Sequence, residues 1–268
     1  MKKLIVVADD FGFSEAYNYG VIKAHEDGIV TCASLMSNMD AAEHGVRLAQ
    51  KYPKLCLCQH TNVVQGYCCS DPKDIPSIVS ATGKFYKSGE YAPDPRFPKV
   101  KSGTRKMNKE DFKREAIAQM ERFKQLTGHY PIHVEGHSII NDEIIEAIEE
   151  IGKEYSIHVM KYDNSPQEGF LDSYEYSFDH PEYGRLVEQG SKEEYFLNDV
   201  FNLLEDPHEI VVLHFHPGYL DGYILDNSTV TVARCRDQQT LTSPKVKNWI
   251  KGNNIELITF DDLVIQNS

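Results

Sequence analysis

Leu4-Ile5-Val6-Val7-Ala8-Asp9-Asp10-Phe11-Gly12 is the stretch that decides the reading of this chain. Its apolar run is short and free of polar residues, the pattern of a buried strand. Two carboxylates then stand side by side at its end. Withdrawing a carboxylate from water is costly unless something binds it, and strand ends are where α/β folds gather their chemistry. A metal ion, a proton transfer, or both account for such a pair.

Outward from this strand the pattern repeats. Strand-like runs follow at 30–36, 55–60, 132–135, 157–160, 210–215 and 256–259, most of them separated by helical patterns. Helices are expected over 14–27, 41–52, 108–127, 141–154 and 243–252. Asn108, the early acids Glu110 and Asp111, and Gly128 mark the ends of the third. Ser191-Lys192-Glu193-Glu194 has the form of a capping box. Seven βα-like repeats point to a parallel sheet with right-handed crossovers. No glycine-rich GxGxxG follows the first strand, which disfavours a dinucleotide fold and favours a distorted β/α (TIM-like) barrel of about seven parallel strands. The chain reads as one domain over 1–268 with long insertions at 67–107 and 165–190. The first is rich in proline and base (Lys84, Lys87, Arg96, Lys99, Lys101, Arg105, Lys106), and the second in tyrosine and acid. Each reads equally as a lid or as a variable surface excursion.

Composition narrows the partners. The chain has 268 residues, and 41 acidic against 28 basic side chains give a formal charge of −13, which disfavours a nucleic-acid surface or an anionic membrane. Lys2-Lys3 precedes only a short apolar run that Asp9-Asp10 interrupts, unlike a signal peptide. No apolar stretch approaches the roughly 20 residues of a membrane span. Cysteines stand at 32, 56, 58, 68, 69 and 235 without a CxxC. Cys56 and Cys58 alternate on one strand face and read as reduced packing residues, so a cytoplasmic location is expected.

Four strand ends carry polar residues: Asp9-Asp10; Gln59-His60-Thr61-Asn62; His133-Val134-Glu135-Gly136-His137; and His214-Phe215-His216-Pro217-Gly218-Tyr219. Parallel strands bring these ends to one face. Two neutral imidazoles and a carboxylate hold a divalent ion with positions open for water and substrate. A second carboxylate can take a proton from that water, and a further histidine can give one to a leaving group. Asp9, Asp10, His60, His137 and His216 supply this set. Taken singly, each has a structural reading: a histidine satisfied at a strand end, or an aspartate capping a turn. His133 and His214 read as structural, and Glu135 as a partner orienting a ligand histidine. Spacing alone leads to a metal-assisted hydrolase or lyase.

Ala8-Asp9-Asp10-Phe11-Gly12, followed by Ser14 and Gly20, resembles the opening of the YdjC-type carbohydrate deacetylases, the chitooligosaccharide deacetylase family. The resemblance continues through His60-Thr61-Asn62, the segment His133 to His137, His216-Pro217-Gly218-Tyr219, Arg234 ahead of Leu241-Thr242, and the closing stretch 255–263. It implies a metal-dependent hydrolase, with Mg2+ or Zn2+, that removes N-acetyl groups from amino sugars or short chitooligosaccharides. It further implies His60, His137 and Asp10 as metal ligands, Asp9 as base and His216 as general acid. Arg234 would hold Asp9 or the substrate. Tyr219 and Phe11 read as sugar-stacking or as packing aromatics. A homodimer is the expected assembly, and a small carbohydrate the expected partner. Two positions depart from the family pattern: Glu135 stands where the family has Asp, and Ile139 where it has a further His. The competing readings are a metal-dependent phosphoesterase or sugar isomerase on the same barrel, and a non-catalytic sugar-binding relative.

Overall fold

The structure, a computed structural model, describes residues 1–92, 103–160, 170–172 and 189–265. Its strands are β1 (Lys3–Phe11), β2 (Cys32–Leu35), β3 (Cys56–Thr61), β4 (His133–Gly136), β5 (His158–Val159), β6 (Phe170–Asp172), β7 (Ile210–Phe215) and β8 (Glu256–Leu257). Seven lie on one path, β5-β4-β3-β2-β1-β7-β6, and β8 pairs with β1 beside it. The pairings between them are parallel. Among the described residues none joins β5 to β6, so the distorted β/α barrel expected from the sequence is an open one. One expectation needs correcting. β6 lies inside 165–190, which the sequence presents as an insertion, and pairs with β7.

The helices are α1 (Glu15–Glu26), α2 (Ala42–Ala49), α3 (Lys109–Thr127), α4 (Asp142–Tyr155), α5 (Glu193–Leu197), α6 (Gly222–Asn227), α7 (Val232–Leu241), α8 (Pro244–Gly252) and α9 (Asp261–Ile265). Their ends follow from local chemistry. The Ser14 hydroxyl accepts from the Tyr17 N–H, Asn108 accepts from the N–H groups of Glu110 and Asp111, and Asn141 accepts from that of Ile144. Gly128 ends α3 in the left-handed conformation. The capping box at Ser191 does not form. Lys192 is the N-cap of α5, and the Ser191 N–H turns instead to the Asp237 carboxylate.

Period-2 alternation divides β1 between two cores. Leu4, Val6, Ala8 and Phe11 join the cluster shared with the helices, including Val21 and Ala24 of α1 and Val46 of α2. Ile5 and Val7 face inward with Cys32, Cys56, Cys58, Val212, Ile258 and Phe260. Continued one step, the inward row reaches Asp9. Described parts of 67–107 are packed too: Ile75, Ile78, Val79, Phe85, Tyr91 and Met107 share a core with Phe112, Ala116 and Met120 of α3. Arg96, Lys99, Lys101 and most of 165–190 lie outside the described residues. No helix among the described residues is long and apolar enough to cross a membrane.

Candidate active site

Asp9 and Asp10 end β1 at a bulge. The β1–β2 register advances from Ala8 opposite Ala33 to Phe11 opposite Leu35, three residues against two. Asp10 takes φ 63°, left-handed backbone that aspartate tolerates better than most residues. A bulge of this kind re-aims a side chain, and here it lets two consecutive carboxylates serve one site.

Asp10 meets the first group of partners. Its Oδ1 lies 2.9 Å from His137 Nδ1 and 3.2 Å from His60 Nε2. The two imidazole nitrogens are 3.1 Å apart. Its Oδ2 accepts from Arg234 Nη2 at 2.8 Å. Burial would raise the Asp10 carboxyl, but His137 and Arg234 outweigh it and hold it well below the usual carboxylate range. Burial would lower His60, but its bonds to Asp10 and Glu135 raise it to about 10. In His137 burial wins and the shift is downward.

These three residues fit a divalent cation. Donor atoms about 2.0–2.1 Å from an ion sit roughly 2.9–3.4 Å from one another, depending on octahedral or tetrahedral geometry. The observed separations fall in that span. Asp10 Oδ1 is buried and faces both ring nitrogens at once, as expected of an oxygen placed for a shared ligand. Glu135 Oε1 lies 2.8 Å from His60 Nδ1. A carboxylate there holds the Nδ1 proton, so the Nε2 proton, facing Asp10 and His137, is the one a bound cation would displace.

Asp9 belongs to a second group. Its Oδ1 is 3.0 Å from His214 Nδ1, which is also 3.4 Å from Glu135 Oε2. His216 Nε2 stands 4.0 Å from Asp9 Oδ2. Burial, together with the Glu135 charge, raises the Asp9 carboxyl to about 6. Burial likewise lowers His216 to about 3, with Arg234, His60 and His137 adding to the shift. His216 is thus neutral at rest. Asp237 accepts from its backbone N–H at 2.9 Å.

Three elements hold these parts in register. Tyr17 of α1 is fully buried and donates from its hydroxyl to the Asp9 carbonyl at 2.8 Å. The segment following β7 lies directly on α1. A Cβ on Gly218 would fall 2.0 Å from the Tyr17 ring, and one on Gly20 would fall 2.5 Å from Gly218 Cα. Only glycines permit that approach. Arg234, brought in by α7, sits 4.8 Å over the Tyr17 ring.

Asp9, Asp10, His60, His137, His216 and Arg234 therefore converge. Arg234 pairs with Asp10 rather than with Asp9, and is 2 % exposed. Phe11 does not offer the sugar-stacking face expected of it: the ring is fully buried in the helix-side core, against Gly45. Tyr219 is 43 % exposed and lines a surface groove with Tyr19, Lys23 and Tyr52. Ile139 is buried in the α3–α4 core. Glu135 touches His60, His133 and His214, which includes the orienting part the sequence suggested for it; sequence reasoning missed the parts played by His214, read there as structural, and by Tyr17 and Asp237. The i, i+2 spacing of His133, Glu135 and His137, and of His214 and His216, was the available signal, since alternate strand residues share a face.

A family model described as YdjC-like protein matches residues 3–252. Carbohydrate deacetylase 2 of Listeria innocua is 31% identical over 266 residues, covering 97% of this chain and 98% of that protein. The carbohydrate deacetylase of Clostridium beijerinckii is 32% identical over 274 residues, covering 97% and 100%. A crystal structure from Enterococcus faecalis V583, of a candidate cellobiose-phosphate cleavage protein, shares the fold with TM-score 0.79 at 22% identity over 98% of each chain. Matched by the family model from β1 through α8 and aligned almost end to end with these relatives, the chain belongs to the YdjC-like family.

Proposed function

We propose that this chain is a metal-dependent carbohydrate deacetylase that hydrolyses the N-acetyl group of an amino sugar or short chitooligosaccharide. The observation that carries the reading is the split of two adjacent carboxylates, Asp10 toward two imidazoles and Asp9 toward His214 and His216. Curated relatives that align over nearly their whole length carry the name carbohydrate deacetylase, which supports the substrate class. Asp10, His60 and His137 would hold the ion, Mg2+ or Zn2+. Such an ion supplies Lewis acidity to an acyl oxygen and to a water.

The chain's own residues handle the protons. Asp9, raised to about 6, is ionised at neutral pH yet basic enough to take a proton from an attacking water. His214 and Tyr17 hold it in place, through its side chain and its carbonyl. His216, neutral at rest, receives a proton within the cycle and passes it to the departing amine. Asp9 Oδ2, 4.0 Å away, is the nearby source. Arg234 stays on Asp10 and keeps that carboxylate ionised. Tyr219, exposed beside the His216 segment, is the aromatic we assign to sugar contact. Six unbridged cysteines support a reducing compartment, the cytoplasm.

The test is acetate release from N-acetylglucosamine and diacetylchitobiose by metal-loaded protein, beside phosphate release from sugar phosphates. Acetate release that a chelator abolishes is the expected result. Phosphate release without acetate would overturn the reading in favour of a phosphoesterase. Tight sugar binding with neither product would overturn it in favour of a binding protein.

A further inference from the structure

At the other end of the sheet interior lies a second cluster that the deacetylase reading does not use. Cys32 and Cys56 open β2 and β3 and stand opposite one another in the parallel register. Cys58, two residues on, shares the inward face with Cys56. All three are buried, and their sulfurs lie within 4.8 Å of one another, with Cys56 and Cys58 at 4.0 Å. The Thr31 hydroxyl lies 3.7 Å from Cys32 Sγ. Around them Ile5, Val7, Val212, Ile258 and Phe260 form an apolar wall. The parallel strands put this cluster toward their N-terminal ends and His60 and His137 at their C-terminal ends.

We propose that Cys32, Cys56 and Cys58 form a second metal site for a thiophilic d10 cation, zinc(II) first. Zinc–sulfur bonds of about 2.3 Å in a tetrahedron set sulfurs roughly 3.8 Å apart, so the observed spacing needs only small side-chain shifts. Three thiolates select a soft ion, whereas Asp10, His60 and His137 offer one oxygen and two nitrogens. Binding forms metal–sulfur bonds and releases the thiol protons to solvent, so affinity rises with pH. The occupied site ties β2 to β3. It is structural, and it stands whether or not the chain deacetylates sugars.

The experiment uses the full chain carrying Cys68→Ser, Cys69→Ser and Cys235→Ser, stripped by chelator and titrated with cobalt(II). A thiolate-to-cobalt charge-transfer band that saturates at one equivalent and is bleached by zinc(II) is expected. Adding His60→Ala and His137→Ala should leave that band intact. Adding Cys32→Ser or Cys58→Ser should remove at least half of it. A folded three-serine chain that binds cobalt without a thiolate band would overturn the proposal, as would a band that survives Cys32→Ser with Cys58→Ser. Alkylation of the intact chain carrying only His60→Ala and His137→Ala covers the case of misfolded serine variants. Zinc should slow modification of Cys32, Cys56 and Cys58 at least tenfold, and equal rates with and without zinc would overturn the site.

Discussion

Gly218→Ala should disable this protein from outside its acid–base set. A Cβ at that position would lie 2.0 Å from Tyr17 Cδ2 and 2.1 Å from Cε2. Carbon atoms in ordinary contact sit about 3.5–4.0 Å apart, so roughly 1.5 Å must be recovered. Tyr17 is ill placed to yield it. The ring is fully buried, its hydroxyl is bonded to the Asp9 carbonyl, and the Arg234 guanidinium covers it. The segment after β7 must therefore move, and it carries His216. Overpacking of this kind costs about 1–3 kcal/mol, and a displacement near 1 Å at a reacting group costs about 10²-fold in rate. We expect urea denaturation to show the stability loss and metal-saturated acetate release to show the fall in kcat/KM. Removing the obstacle should uncouple the two: Tyr17→Ala with Gly218→Ala should lose less stability than the sum of the single variants. Activity within twofold of the parent and an unchanged denaturation midpoint would refute the reasoning.

Three further outcomes are expected. His216→Ala should keep the parent metal content, read by atomic absorption, while kcat falls about 10²–10⁴-fold; unchanged turnover removes the role. His60→Ala should bind one metal equivalent fewer than the parent chain, and parent stoichiometry takes it out of the ligand set. Asn108→Ala should destabilise the chain by about 1 kcal/mol in denaturation, because Asn108 Oδ1 accepts from Glu110 N at 2.9 Å and Asp111 N at 3.2 Å. Stability equal to the parent would mean that water caps α3 equally well.

Much of this was legible in the sequence because strand ends announce themselves when polar residues follow apolar runs. Asp9, Asp10, His60, His137 and His216 all sit at such ends, and all meet. Arg234 was visible only through the family resemblance, and its partner Asp10 was fixed by tertiary placement of α7. β6 escaped notice because three residues, Phe170–Asp172, give no period in a stretch dominated by tyrosine and acid. Phe11 was misplaced for a geometrical reason. Its neighbours are carboxylates of the site, yet the bulge returns it to the helix side. The Glu135–His214 contact depends on β4 and β7 facing each other across the interior, which no local pattern encodes.

The bulge itself is the step that local reasoning omits, and it can be tested by a reversal of sign. Leu4, Val6 and Ala8 face the helices. Unbroken alternation would send Asp10 after them, into an apolar layer where an ionised carboxylate is untenable. The left-handed turn at φ 63° is what brings it to His60 and His137 instead. That conformation costs an ordinary L-residue about 1–2 kcal/mol and costs glycine almost nothing. Asp10→Ala and Asp10→Gly both remove the carboxylate and both leave Arg234 without its partner, so those losses cancel in the comparison. In a regular strand alanine is the more stable of the two by roughly 0.5–1 kcal/mol. Here Asp10→Gly should be the more stable, by about 1 kcal/mol, in urea denaturation with chelator present. If alanine equals or exceeds glycine, Asp10 does not sit in a left-handed bulge, and the division of labour between the two carboxylates loses its structural basis.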